Sequence, residues 1–201
     1  MTDRTKTSPQ KAARTVDVGR LHGDVEWALE KGLGPRDLVP MLERLRRHAE
    51  PGSSSWAFAT MELAGVLVER SPWRAAALAR SVLATEESER GFALLGLALA
   101  KLGHFAAGAT AYGRALTLAP GCTAYLHNLG HLLDAGLDRP KDALPHLERA
   151  YRDRPYDAEI AASYAHALVR LGRREDARVA LERALGEIPG AVEELLERFT
   201  R

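Results

Sequence analysis

The chain has 201 residues, 46% hydrophobic and 27% charged, enough to bury a core and too apolar for a disordered polyelectrolyte. Its 28 basic and 27 acidic residues leave a net charge of +1, so no field of one sign suits it to nucleic acid or an anionic membrane, and a protein is the expected partner. The one cysteine, Cys122, precludes an intrachain disulfide and gives no sign of an oxidising compartment, which makes the cytoplasm the expected location.

Ala, Leu, Arg and Glu dominate and β-branched residues are sparse, so an all-α fold is predicted. Residues 1–16, MTDRTKTSPQKAARTV, carry Arg4, Lys6, Lys11 and Arg14 without the apolar stretch of a signal peptide and read as a disordered basic tail. DVEWALEKGL is a helix, and PRDLVPMLERLRR (35–47) is a second. The latter recurs 105 residues later as PKDALPHLERAYR (140–152). For the inner prolines of these segments, Pro40 and Pro145, the favoured reading makes Asp37 and Asp142 N-caps, placing each proline in a first turn whose amides lack partners anyway. The alternative starts the helices at Pro35 and Pro140 and costs one hydrogen bond each. WAFATMELAGVLVER follows, then Ser71 as N-cap and Pro72 at N1 open WRAAALARSVLATEE.

From Glu89 the pattern becomes regular. Pro120, Pro155 and Pro189 mark units of 35 and 34 residues, each an apolar helix, a glycine, a second apolar helix and the proline. Gly103, Gly136 and Gly172 are expected to end the first helices in the left-handed conformation. Gly96, Gly108, Gly130, Ala143, Ala165 and Ala177 are expected where paired helices cross closely. The most apolar run, GFALLGLALA, is about half the roughly 20 residues that cross a bilayer, so it is a core helix and no membrane span is predicted. After Gly190, AVEELLERFTR places Val192, Leu195, Leu196 and Phe199 on one face, as a capping helix needs.

The series Leu126, Leu129, Gly130, Leu133, Gly136, Ala143, Leu147, Ala150, Pro155, with its counterparts from Glu89 and Ala161, resembles the tetratricopeptide repeat, a 34-residue helix-turn-helix with signature W-x2-L-G-x2-Y, then A, F, A and P. The resemblance covers residues 88–189 and, in diverged form, 20–87. It implies a right-handed superhelical solenoid over 17–201, with repeats near 20–50, 53–87, 88–120, 121–155 and 156–189 and a cap at 190–201. It also implies a protein-interaction scaffold whose first helices line a concave groove.

Counting along those helices gives the expected groove residues: Arg90, Ala93, Leu97 and Lys101, then His127, Asn128, His131 and Asp134, then Ala162, His166 and Arg170, with Glu159 beside them. Leu97 is the expected apolar anchor, with Leu95 in the core. Some family members clamp acidic chaperone tails with Lys and Asn. Asn128 matches that pattern, but Ala93, Leu97, Glu159 and Ser163 replace the other positions, so that ligand is not expected. His127, His131, His166 and Asp134 are the residue types of a zinc site. Without a His-Glu-x-x-His or paired-cysteine pattern they read as peptide or structural contacts, and no metal or cofactor is predicted. Cys122 falls in a turn and is not read as a nucleophile, and Trp27, Trp56 and Trp73 are read as packing residues.

The sequence therefore predicts a non-enzymatic adaptor binding an extended or helical segment of another protein, and leaves self-association open. The alternative is a chaperone of a secreted client. Type III secretion translocator chaperones are similar in size and in repeat number, and ERGFALLGLALAKLGHFAAGATAY resembles their central repeat.

Overall fold

The computed structural model describes residues 16–186 and 190–200. The expected basic tail, apart from Val16, and Pro189 lie outside them. Among the described residues there are eleven α-helices, one π-helical turn and no strand: α1 (Val18–Glu30), α2 (Pro35–His48), α3 (Ser54–Leu67), α4 (Pro72–Leu83), α5 (Glu89–Lys101), α6 (Phe105–Leu118), α7 (Thr123–His131), the π turn (Leu132–Gly136), α8 (Pro140–Asp153), α9 (Ala158–Arg170), α10 (Arg174–Leu185) and α11 (Ala191–Phe199). The chain divides into two units, residues 1–59 and 60–201, with the boundary inside α3.

In the first unit the Asp17 side chain caps α1 by accepting from the Arg20 amide at 3.0 Å. Val25 and Ala28 of α1 and Leu38, Leu42 and Leu45 of α2 are buried. His22 stacks on Phe58 with ring centroids 4.4 Å apart, and its Nδ1 lies 2.8 Å from Ser55 Oγ.

In the second unit successive helices from α4 to α11 pack on one another, and α9 also meets α7 and the cap helix α11. Small residues set the spacing within hairpins. A Cβ on Gly130 would lie 2.5 Å from Leu147 Cγ, and Ala143, Ala165 and Ala177 have no exposed surface. One core cluster joins Tyr112, Leu129, Leu132, Leu133, Ala143, Leu147 and Ala167. A second joins Ala165, Leu168, Ala177 and Leu181 to Val192 and Leu196, so α11 covers the end of the stack with its apolar face. Ala119 and Arg154, which precede Pro120 and Pro155, leave the helical region (φ −133°, ψ 72° and φ −135°, ψ 71°), as proline requires of the residue before it.

Three expectations are corrected. Gly103 and Gly172 close α5 and α9 at φ +77°, and the next amide reaches five residues back, His104 to the Leu99 carbonyl and Arg173 to that of Leu168, both at 2.9 Å. Gly136 does not share this role. The one-residue insertion of its repeat is absorbed by the π turn, so the left-handed position passes to Asp138 (φ 57°) and the Arg139 amide reaches six residues back to the Leu133 carbonyl at 2.8 Å. Gly136 instead admits Phe105, since a Cβ there would sit 2.9 Å from Phe105 Cγ.

Asp37 and Asp142 are not N-caps. Helices α2 and α8 begin at Pro35 and Pro140, with Pro40 and Pro145 inside them. The prolines' preset φ makes N1 the better start, and the Asp142 carboxylate accepts from Arg139 Nε at 2.7 Å. Trp56 is buried at 8% exposure, but Trp27 and Trp73 are 55% and 67% exposed. Their helices bury Val25 and Ala28, and Ala75, Ala76 and Ala79, on other faces.

Candidate functional site

The expected groove residues fall into three groups. On α5, Arg90 pairs with Glu62 at 2.6 Å and Lys101 with Glu69 at 2.7 Å, so both cations are already neutralised. Ala93 and Leu97 are half-buried and pack against the core cluster of Tyr112 and Leu129. Leu97 is thus a core-edge residue rather than an open anchor, and Leu95 is half-buried as well.

On α7 Asn128 and His127 turn inward, whereas His131 is exposed. Asn128 Nδ2 donates to the Tyr112 hydroxyl at 3.1 Å, and burial pushes that hydroxyl well above the usual phenol range, so it stays protonated. His127 is 8% exposed, with Nε2 2.9 Å from Ser163 Oγ. Burial lowers its proton affinity, outweighing the opposing charge of Glu159.

Asp134 does not face a groove. The π turn directs it inward at 2% exposure, where its Oδ2 accepts from His166 Nδ1 at 2.5 Å and its Oδ1 from Arg170 Nη1 at 2.8 Å. The same guanidinium nitrogen donates to the Asp134 carbonyl at 2.7 Å, and Nη2 pairs with Asp138. Burial opposes the Arg170 charge, but Asp138 and Asp134 outweigh it and raise its pKa.

The third group is a recess of about 220 Å³ where α7 and the π turn, α9 and α11 come together, lined by His131, Ala135, Ala162, Ser163, His166, Arg198 and Phe199. It unites three of the expected residues, His131, Ala162 and His166. Ala135, Arg198 and Phe199 were missed. Arg198 and Phe199 lie in the cap, where only their neighbourhood in three dimensions reveals them. The His166 ring meets Phe199 edge-on at 5.1 Å.

Ser163 lies against His127 whereas Asp134 holds His166, so no single imidazole joins serine to aspartate as a nucleophilic triad requires. Among the described residues no three His, Cys, Asp or Glu side chains are arranged to hold a metal ion. Cys122 is a half-buried free thiol at the N-cap of α7 without a side-chain capping bond.

A family model of the tetratricopeptide repeat matches residues 132–198. That segment is tetratricopeptide repeat. It contains the π turn, α8, the α9–α10 hairpin and all but the last residue of the cap helix, and so supplies the lining of the recess except His131 and Phe199. No curated protein matches the sequence. Among solved structures, the chain is similar to the MamA 41-end chain from Desulfovibrio magneticus RS-1 (TM-score 0.72, 18% identity, covering 92% of this chain and 97% of that one). It is also similar to the MamA RS-1 ArsTM double mutant (TM-score 0.72, 17% identity, 92% and 98%) and to a crystal structure of MamA (TM-score 0.68, 18% identity, 87% and 96%). At such identities the likeness is one of fold: an all-α array of tetratricopeptide-like hairpins closed by a C-terminal helix. No helix among the described residues is long and apolar enough to cross a membrane.

Proposed function

We propose that the chain is a non-enzymatic protein-interaction scaffold that holds a segment of another protein against the face carried by its first helices. The observation carrying this reading is the recess between α7, α9 and α11. Its volume of about 220 Å³ is below the roughly 300–1,000 Å³ of sites that enclose a small molecule, and suits a side chain or two projecting from a longer ligand. The lining, apolar at Ala135, Ala162 and Phe199 and polar at His131, Ser163 and His166, matches an anchoring pocket with a hydrogen-bonding rim. The pairing of Arg90 and Lys101 with glutamates supports a ligand contact downstream, around His131, Ala162 and His166. The free thiol of Cys122 is consistent with a reducing, cytoplasmic setting.

The test is photocrosslinking in the native cell from benzoylphenylalanine placed at Ala162, with the exposed Val179 of α10 as the control position. A discrete crosslinked protein at Ala162 and none at Val179 is expected. Crosslinking only at Val179, or at neither position, overturns the proposal. The partner's behaviour then separates the two modes: one soluble alone makes the chain an adaptor, whereas one soluble only when co-expressed makes it a chaperone.

A further inference from the structure

Among the described residues one charge at the recess is left without an ion-pair partner. Arg198 forms no ion pair among the described residues, while the neighbouring arginines are committed, Arg170 to Asp134 and Asp138, and Arg178 to Glu193. Asp134, a buried acid, is already shared between Arg170 and His166. His166 lines the recess with its Nδ1 engaged by Asp134, so Nε2 is the ring nitrogen available to a ligand.

Resting on the scaffold reading, we infer that this recess recognises a glutamate side chain of the bound segment, with Arg198 and a protonated His166 as its two donors and Asp134 as the residue that positions His166. A neutral imidazole whose Nδ1–H donates to Asp134 offers only a lone pair at Nε2, which repels a carboxylate. An imidazolium donates from both nitrogens and bridges Asp134 to the ligand. The carboxylate is therefore bound by the imidazolium form of His166, which donates from Nε2 while Nδ1 stays on Asp134.

The charges around His166 agree with this. From the π turn Asp134 faces it, from α7 His131, from α11 Arg198, and on its own helix Arg170 offsets Asp134. Among the described residues the His166 imidazolium is offset by Asp134 and Arg198 balances one further negative charge, which suits a monoanionic carboxylate rather than a dianionic phosphate. Phe199 and Ala162 provide an apolar wall for the glutamate methylenes.

The experiment uses an N-acetylated, C-amidated Ala-Leu-Glu-Leu-Ala peptide, its Gln counterpart with the same blocked ends, and the Gln peptide with a free C-terminal acid. NMR titration of the full chain is expected to shift the amides of Ala135, Ala162 and Phe199 with the Glu peptide only. Binding should be at least about fivefold tighter at pH 6 than at pH 8. Calorimetry in buffers of different ionisation heat should show proton uptake that His166→Gln removes and His131→Gln leaves intact. Arg198→Gln, at an exposed position, should weaken binding without altering the melt. Equal response to the Glu and Gln peptides, preference for the free acid, shifts away from the recess, or binding without proton uptake each overturns the inference. Should Arg198→Gln and His166→Gln leave crosslinking from Ala162 unchanged, the scaffold stands and only the glutamate assignment falls.

Discussion

Arg170 grips Asp134 twice through one nitrogen, at 2.8 Å to the carboxylate and 2.7 Å to the carbonyl, across 36 residues and from one repeat to the next. Asp134 is 2% exposed, so removing the guanidinium leaves a buried carboxylate held by His166 alone. Breaking a buried pair costs about 3–5 kcal/mol. The Arg170 side chain is 26% exposed and lets water in, so Arg170→Ala should cost about 2–3 kcal/mol. Combined with Asp134→Ala the loss should fall short of the sum by about 1 kcal/mol or more in urea unfolding, and strict additivity would refute the coupling. Asp138→Asn, at a position with an 86% exposed side chain, should change stability by less than about 1 kcal/mol.

Gly103 and Gly136 should fail for different reasons. Gly103→Ala has free space but a left-handed backbone at φ +77°, and should cost about 1–2 kcal/mol. Gly136→Ala meets the Phe105 ring, and should cost about 1–3 kcal/mol as overpacking. Adding Phe105→Leu should recover much of the second loss and none of the first, as read from thermal melts of the four variants. Rescue of Gly103→Ala would mean that the turn assignments are reversed.

Two glycines inside helices should respond with opposite signs. A Cβ at Gly113 meets nothing within 4 Å, so Gly113→Ala should stabilise by about 0.5–1 kcal/mol through helix propensity and lost unfolded-state freedom. At Gly130 the Cβ would lie 2.5 Å from Leu147 Cγ and 3.3 Å from its backbone nitrogen. Gly130→Ala should therefore separate α7 from α8 and destabilise by about 1–3 kcal/mol. Denaturant midpoints moving in the same direction for both would contradict this packing.

Burial lowers the pKa of His127 and of His146 below the ordinary 6.5. Between the folded and unfolded values the unfolded chain binds more protons, so stability is intact above pH 6.5 and is lost as pH falls from there through the lowered folded value. The melting temperature of the wild type should drop over that window. His127→Gln should flatten part of the drop and His146→Gln a further part. A melt unchanged on acidification through 6.5 would show both rings to be freely solvated.

Much of the fold was legible because helical periodicity and turn chemistry are local. The spacing of Pro120 and Pro155, the left-handed Gly103 and Gly172, and the apolar stripe Val192, Leu195, Leu196 and Phe199 each follow from residues within a few turns of one another. The one-residue insertion before Ala143 was visible too, but its form was not. Whether an extra residue widens a loop or a helix depends on which alternative buries Asp134 against Arg170 and seats Phe105 on Gly136, contacts that span about a repeat. The same limit applied to the groove. Counting along helices singled out His131, Ala162 and His166, which the structure brings to one recess, yet could not tell that Asp134 and His127 turn inward, that Leu97 leans on the core, or that Arg198 and Phe199 of the cap complete the lining. Local sequence sets which face of a helix is apolar. Only the packing of one helix on another decides which polar groups on the remaining faces are already satisfied and which are left free to bind.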